Sequence, residues 1–550
     1  MNDISLLFPD DSDRCFQLSS GTANDLGITF LAESLTDSPP EQDIIRKYLM
    51  TMPVCPQTVR YRNAVYCELR GDQTLCKALY DVCDSLRFYF NERPVKIGEK
   101  STVWELMQRL RSLEHYVRSV LKLRDLIADR SFLSEGMQRF AAYIRSLSDD
   151  SGFDELLQDI SFLDGEVSAV HSMTIGVNFT PDFYPAEAGI ISLNKFYFNQ
   201  QTVLKRFMAF HRKDQVSDRI LDPFTIEVHQ DGLDWIEKNM MGMQSSGRAS
   251  DSILMNNLTE IIERMLPSMT AKLNKVLDKY VHVSGRALVV LADEMLFYLR
   301  FIALEEKLTA HGLPCCCGEI SEQDTSLRDF YNLRLALINM KTQPEAKIVC
   351  NDISFTKEQT VLILTGPNRG GKTILTQGIG LAFLLFQSGV FVPASGADIR
   401  LCDGIHTHFP VEEEHTVSLG RLGEEASRFR EICLNATRDS LLLFNESFAT
   451  TSHSESLYIA EDVLKYLCCL GARTCFNTHM HELAERCGQF SASGKAVCGA
   501  VSLVMENGEE NRYKLTLRQP DGKSYAQVIA QQYGITFEQL QELLPEQNNG

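Results

Sequence analysis

The sequence predicts a multidomain protein: a mostly α-helical half with a small β insert, followed by an α/β half built on a parallel sheet. Three observations lead there. Long apolar periodicities of helical spacing dominate the first 310 residues. Short β-rich runs alternate with helical patterns after about residue 325. A glycine-rich stretch of the form GxxxxGK[ST] stands between an apolar strand and an apolar helix in that second half.

Taken in order, residues 1–40 are polar and acidic, and Pro39-Pro40 reads as the close of a loop. From Thr102, the residues Val103, Leu106, Met107, Leu110, Leu113, Val117, Val120 and Leu121 repeat every three to four positions. Thr102 with Glu105 forms a capping-box pattern. Met173, Ile175, Val177 and Phe179 alternate as in a strand, and Ile191 to Phe198 reads similarly. Pro267 suits the first position of a helix on which Lys272, Lys275 and Lys279 fall near one face. A further helix is expected from about Ala287 to His311, with Gly312 and Pro314 as stop signals. In the second half, Val361–Thr365, Ser440–Phe444 and Thr474–Thr478 read as strands.

Composition limits the function classes. The 550 residues are 44% hydrophobic and 23% charged, which suits globular domains rather than a disordered chain. The net charge of −19 argues against a general cationic coat for nucleic acid, although a local basic stripe suffices for phosphate contact. The sixteen cysteines follow no metal-ligand spacing and read as reduced thiols. The N-terminal residues lack the pattern of a signal peptide. The apolar stretch Ile379 to Ala394 is interrupted by Gln387, Ser388, Gly389 and Pro393, too short to span a bilayer. A cytoplasmic protein with no membrane partner is expected.

The chemistry concentrates in the second half. Gly366, Pro367, Asn368, Arg369, Gly370, Gly371, Lys372 and Thr373 form the glycine-rich loop after Val361-Leu-Ile-Leu364. Glycines let backbone N–H groups wrap phosphate, and a helix N-terminus adds a favourable dipole. Lys372 is expected to reach the β- and γ-phosphates and Thr373 to ligate Mg²⁺, so ATP and Mg²⁺ are the expected ligands. A second apolar strand ends in Asn445-Glu446, where such sites usually carry Asp-Glu. Asn445 then stands near the metal as a neutral ligand, and Glu446 is the candidate base for attacking water. A third strand ends in Thr478-His479, which places His479 where it can sense the γ-phosphate.

Together these segments resemble the MutS family of mismatch-repair ATPases, which belong to the ABC class. LTGPNRGGKT resembles TGPNMGGKS, and Asn351-Asp-Ile resembles the family's PND segment. Phe391-Val-Pro393, Asn435-Ala-Thr-Arg-Asp-Ser440, Thr478-His-Met-His-Glu-Leu483 and Ser524-Tyr-Ala526 resemble four further family segments. The resemblance covers about residues 325–540. It implies a core and lever region over 41–325, a clamp remnant at about 200–285 and an ABC-type ATPase domain over 326–550.

It further implies ATP held between two subunits of a homodimer, and binding of double-stranded, mismatched or branched DNA. Lys205, Arg206, Arg212 and Lys213, with Lys272, Lys275 and Lys279, are the candidate phosphate contacts. A nucleotide-gated scaffold with little DNA affinity is the alternative.

The chain departs from the family in three ways. The helical region begins by about residue 40, which leaves no room for mismatch-reading and connector domains. The segment DE-x-GRGTS appears as Asn445-Glu-Ser-Phe-Ala-Thr-Thr-Ser452, with the Asp and both glycines replaced. Counting back from Ala436 puts Gly420 where the family has the serine that caps the partner's nucleotide, with Ser418 and Ser427 as alternatives. ATP binding is therefore better supported than fast hydrolysis.

Overall fold

The computed structural model describes residues 4–9, 14–90, 103–167, 172–182, 185–194, 267–283, 285–343, 345–367, 371–410, 420–448, 452–491, 495–506, 513–518, 533–534 and 536–541. The chain forms two compact units. One comprises Met1–Cys83, Arg130–Ala141 and Val290–Gly550, and the other Asp84–Asp129 and Ala142–Val289.

The chain opens with β1 (Cys15–Gln17), α1 (Ser20–Leu26), α2 (Ile28–Leu35), α3 (Pro39–Met50) and β2 (Thr51–Pro53). The reading of Pro39-Pro40 as the end of a loop is corrected here: Pro39 is the first residue of α3. A proline is tolerated there because the first-turn N–H groups have no helical partner. The polar opening residues also hide two short helices. Ser19 caps α1 by accepting from Thr22 N–H, and Gly27 closes it at φ 72°.

The helices α4 (Pro56–Arg70), α5 (Gln73–Phe90), α6 (Val103–Ile127), α7 (Glu135–Ser148) and α8 (Ser151–Val167) follow. The expected periodic helix from Val103 is α6, while Thr102 lies outside the described residues. Next come the antiparallel hairpin β3 (Ser172–Phe179) and β4 (Pro185–Asn194), then α9 (Pro267–Leu277) and α10 (Arg286–Ala310). Residues 195–266, with Lys205, Arg206, Arg212, Lys213 and most of the expected clamp remnant, lie outside the described residues.

In the second unit, Arg109 on α6 donates to the carbonyls of Tyr280 and Val283, each at 2.6 Å. The Tyr116 ring packs edge-on against Phe153 of α8. Lys279 stands apart from Lys272 and Lys275. It sits in the 3₁₀ turn after α9, and its ammonium bonds Glu155 at 2.8 Å and Asp159 at 3.0 Å. Two carboxylates share its charge on the surface.

Further elements of the first unit include β5 (Glu319–Ile320), β6 (Thr325–Phe330), α11 (Leu333–Thr342), β7 (Asn351–Phe355), β8 (Gln359–Thr365), α12 (Lys372–Gln387), β9 (Gly396–Ile399) and β10 (Ile405–His408). They continue with α13 (Gly420–Asn435), β11 (Leu441–Asn445), α14 (His453–Leu470), β12 (Arg473–Asn477), α15 (His481–Glu485), β13 (Gly499–Met505) and β14 (Leu515–Leu517). The main sheet has the order β10-β11-β12-β8-β13-β14, parallel except for β14. A smaller sheet has the order β5-β9-β6-β7.

Within the main sheet, β8 and β11 are buried on both faces and are near-continuous apolar runs rather than alternating ones. Leu442 and Phe444 of β11 face a cluster with Val463, Leu464 and Leu467 of α14. On the other face, Gly380 of α12 lies so close to Leu443 and to Leu26 of α1 that a Cβ there would stand 2.7 and 2.5 Å from them. From Leu375 to Gln387 every residue of α12 is buried, which explains a helix apolar on all sides without a membrane. Among the described residues, no helix is long and apolar enough to cross a membrane.

Candidate nucleotide site

Three parallel neighbours, β8, β12 and β11, end side by side and deliver the candidate residues to one edge of the sheet. The chain leaves β8 through Gly366 at φ 144°, where a Cβ would lie 2.8 Å from Met505. It enters α12 through Gly371 at φ 86°. Side chains rarely adopt either angle, so glycine is required at both. Asn368, Arg369 and Gly370 lie outside the described residues.

Lys372 is buried, and its ammonium donates to the carbonyls of Gly366 at 3.1 Å and Pro367 at 3.0 Å. Burial pushes its pKa down to about 8, with the nearby Glu446 charge working the other way. The Thr373 hydroxyl donates to Asn445 Oδ1 at 2.8 Å, and Asn477 Nδ2 donates to the same oxygen. Glu446 follows at φ 51°, its N–H held by the Asn477 carbonyl at 2.9 Å. Glu446 Oε1 accepts from His479 Nε2 at 2.6 Å. That bond, followed by the charges of His479 and Lys372, holds the carboxyl below its usual pKa despite partial burial.

Of these residues, Gly371, Lys372, Thr373, Glu446 and His479 line a cleft of about 760 Å³, while Asn445 is buried and bonded to Thr373. Its other walls come from Tyr331, Asn339, Gln343, Ile348 and Tyr513. The sequence reading did not find these, because they come from α11 and the residues flanking it, the stretch before β7 and the turn before β14, which carry no phosphate motif. The nearest signal was Asn351. Its amide donates to the Tyr513 carbonyl at 3.1 Å and its oxygen accepts from Leu515 N–H at 2.8 Å, clasping that turn against β7.

The cleft size suits a small-molecule ligand with a polar end. The buried ammonium of Lys372 and the N-terminus of α12 suit a polyphosphate. Thr373 and Asn445 offer the hard oxygen donors that Mg²⁺ takes, both neutral.

Among the departures, Phe448 occupies the position of the first glycine in the resembled segment. Its φ of 64° is the angle that favours glycine. Ser418 lies outside the described residues, and Ser427 is exposed on α13.

Comparison with known proteins bears on both halves. Residues 362–546 match the family model "MutS domain V", and residues 55–311 match "MutS2 N-terminal domain". This chain belongs to the MutS family. Among its relatives named DNA mismatch repair protein MutS, that of Chlorobium chlorochromatii is 34% identical over 193 residues, 35% of this chain and 22% of the relative. That of Prochlorococcus marinus (strain MIT 9301) is 33% identical over 200 residues, 36% of this chain and 22% of the relative. That of Chlorobaculum tepidum is 41% identical over 138 residues, 25% of this chain and 16% of the relative. This MutS-family chain thus spans about a fifth of the length of the relatives it matches. Its helical half matches a MutS2-type model, a branch that the sequence segments did not distinguish.

Proposed function

We propose that this MutS-family chain binds ATP and Mg²⁺, hydrolyses ATP slowly as a homodimer, and binds DNA in mismatch repair or at branched, recombining duplexes. The observation that carries the nucleotide part is the convergence of Lys372, Thr373, Glu446 and His479 on a single cleft, with the buried Asn445 bonded to Thr373. On this reading residues 41–325 act as the core and lever and residues 326–550 as the ATPase domain.

The chain's own groups divide the work. The Gly366–Thr373 turn cradles phosphate through its backbone N–H groups, and Lys372 exchanges its two carbonyl partners for phosphate oxygens. Thr373 and Asn445 would hold Mg²⁺, which when bound neutralises charge on the β- and γ-phosphates. Glu446, ionised and oriented by His479, accepts a proton from the attacking water.

Two observations favour keeping the nucleotide-gated scaffold as a second reading. Asn445 leaves the metal position without a carboxylate beyond Glu446, and Lys279 shares its charge with Glu155 and Asp159. One experiment separates the two. Labelled duplex, mismatched duplex and four-way junction are titrated with and without ATP, alongside calorimetry of ATP binding. Nucleotide-dependent DNA binding supports the first reading. ATP binding with no DNA affinity at low salt transfers the conclusion to the scaffold, and no ATP binding overturns both.

A further inference from the structure

Glu446 does not stand on a regular strand end. The turn Glu446-Ser447-Phe448 holds two non-glycine residues in the left-handed region, at φ 51° and 64°. Such residues are strained and persist only where their surroundings over-determine them. Glu446 is held by Asn477 and His479, and the Phe448 carbonyl accepts from Ser456 at 2.6 Å; on the other side of the turn stand one buried histidine and its aromatic neighbours.

His408, the last residue of β10, is almost fully buried. Its ring stacks on Phe448 at 5.7 Å between centroids, with an angle of 25° between planes. Phe429 of α13 packs edge-on against both rings, at 6.5 Å from His408 and 5.5 Å from Phe448. Both nitrogens of His408 are used. Nε2 lies 3.1 Å from the Glu425 carbonyl on α13, and Nδ1 lies 2.7 Å from Ser447 Oγ.

The tautomer follows from these partners. A carbonyl only accepts, so Nε2 carries the proton. Burial and the charge of Arg428 hold the ring neutral, with a pKa of about 4, so Nδ1 is bare and accepts from the Ser447 hydroxyl, which also reaches the His408 carbonyl at 3.2 Å. The imidazole is thus a directional link, donating to α13 and accepting from the residue next to Glu446. Arg428 adds a second tie between α13 and the end of β10 through the Phe409 carbonyl at 3.1 Å.

We propose that His408 is a positioning residue that couples α13 to the Glu446 turn, so that a displacement of α13 is felt at the catalytic carboxylate. This rests on the reading of Glu446 as the base.

The test combines amide hydrogen exchange with kinetics on the full chain. In His408→Ala, exchange should rise in peptides covering 445–448 and 422–435 and stay unchanged in 375–387. Turnover should fall about tenfold or more with ATP affinity held within about twofold, as expected when a base is misplaced but binding groups are not. Ser447→Ala, a milder change, should loosen the turn while leaving α13 protected. His408→Asn can reach Ser447 and His408→Gln can reach Glu425, so neither alone should restore turnover.

Unchanged exchange at 445–448 in both His408→Ala and Ser447→Ala overturns the coupling. So does a rise spread evenly over 375–387, which marks a merely structural role. If His408→Ala fails to fold, Ser447→Ala decides. If wild type binds no ATP, the functional reading fails while the exchange data still judge the link.

Discussion

The Thr373 hydroxyl and the Asn477 amide both donate to the same side-chain oxygen of Asn445, the first across 2.8 Å. A neutral amide therefore organises the position where a carboxylate would otherwise stand. Neutral oxygens hold a hard divalent cation less tightly than charged ones. Replacing Asn445 with Asp should raise turnover at limiting Mg²⁺ and shift the Mg²⁺ dependence to lower concentration. Steady-state rates across a Mg²⁺ titration check this, and an unchanged half-saturation point would count against Asn445 as a ligand.

Glu446→Gln should bind ATP with near wild-type affinity and lose about 10²–10⁴ in turnover, the usual contribution of a positioned base. The amide keeps the shape but cannot take the proton. Single-turnover assays beside equilibrium binding measure the two effects separately. Retained turnover would assign the base elsewhere.

Lys372→Ala should weaken ATP binding by at least about tenfold, since a charge-assisted phosphate contact is removed. The free ammonium titrates near pH 8 because it is buried. Phosphate stabilises the charged form and raises that pKa. ATP binding near pH 8 should therefore take up a fraction of a proton, and affinity should fall as pH rises above 8. Calorimetry in buffers of different ionisation enthalpy reads the uptake, and Lys372→Ala should abolish it.

A non-hydrolysable ATP analogue should favour a dimer through the second half of the chain, because a ligand that binds one state better shifts the population to it. Sedimentation with and without the analogue tests this. A monomer at every concentration despite tight nucleotide binding would argue against a shared site.

DNA binding should show little preference for a mismatch, because lysine contacts to phosphate carry no sequence information. Affinity should fall steeply with salt. Lys272→Ala and Lys275→Ala should each reduce the log–log salt slope by about one if they touch phosphate. Lys279→Ala should leave the slope unchanged, because Glu155 and Asp159 hold that ammonium.

The sequence determined the site's local chemistry. A phosphate loop is a contiguous run whose spacing reflects backbone geometry, so Gly366, Gly371, Lys372 and Thr373 were legible as a string. Strand ends such as Asn445-Glu446 and Thr478-His479 were legible because apolar runs ending in polar residues mark where a buried sheet reaches its edge.

Other features depended on residues distant in sequence. Only the tertiary structure brought Ile348 and Tyr513 to the cleft, set His408 against Ser447 and Phe448, and paired Lys279 with Glu155 and Asp159. It also folded the polar opening residues into helices, with Leu26 packed against α12. Periodicity records which face of an element is apolar. It does not record which element covers that face, or which of several charges finds a counter-charge, because those are set by chain packing.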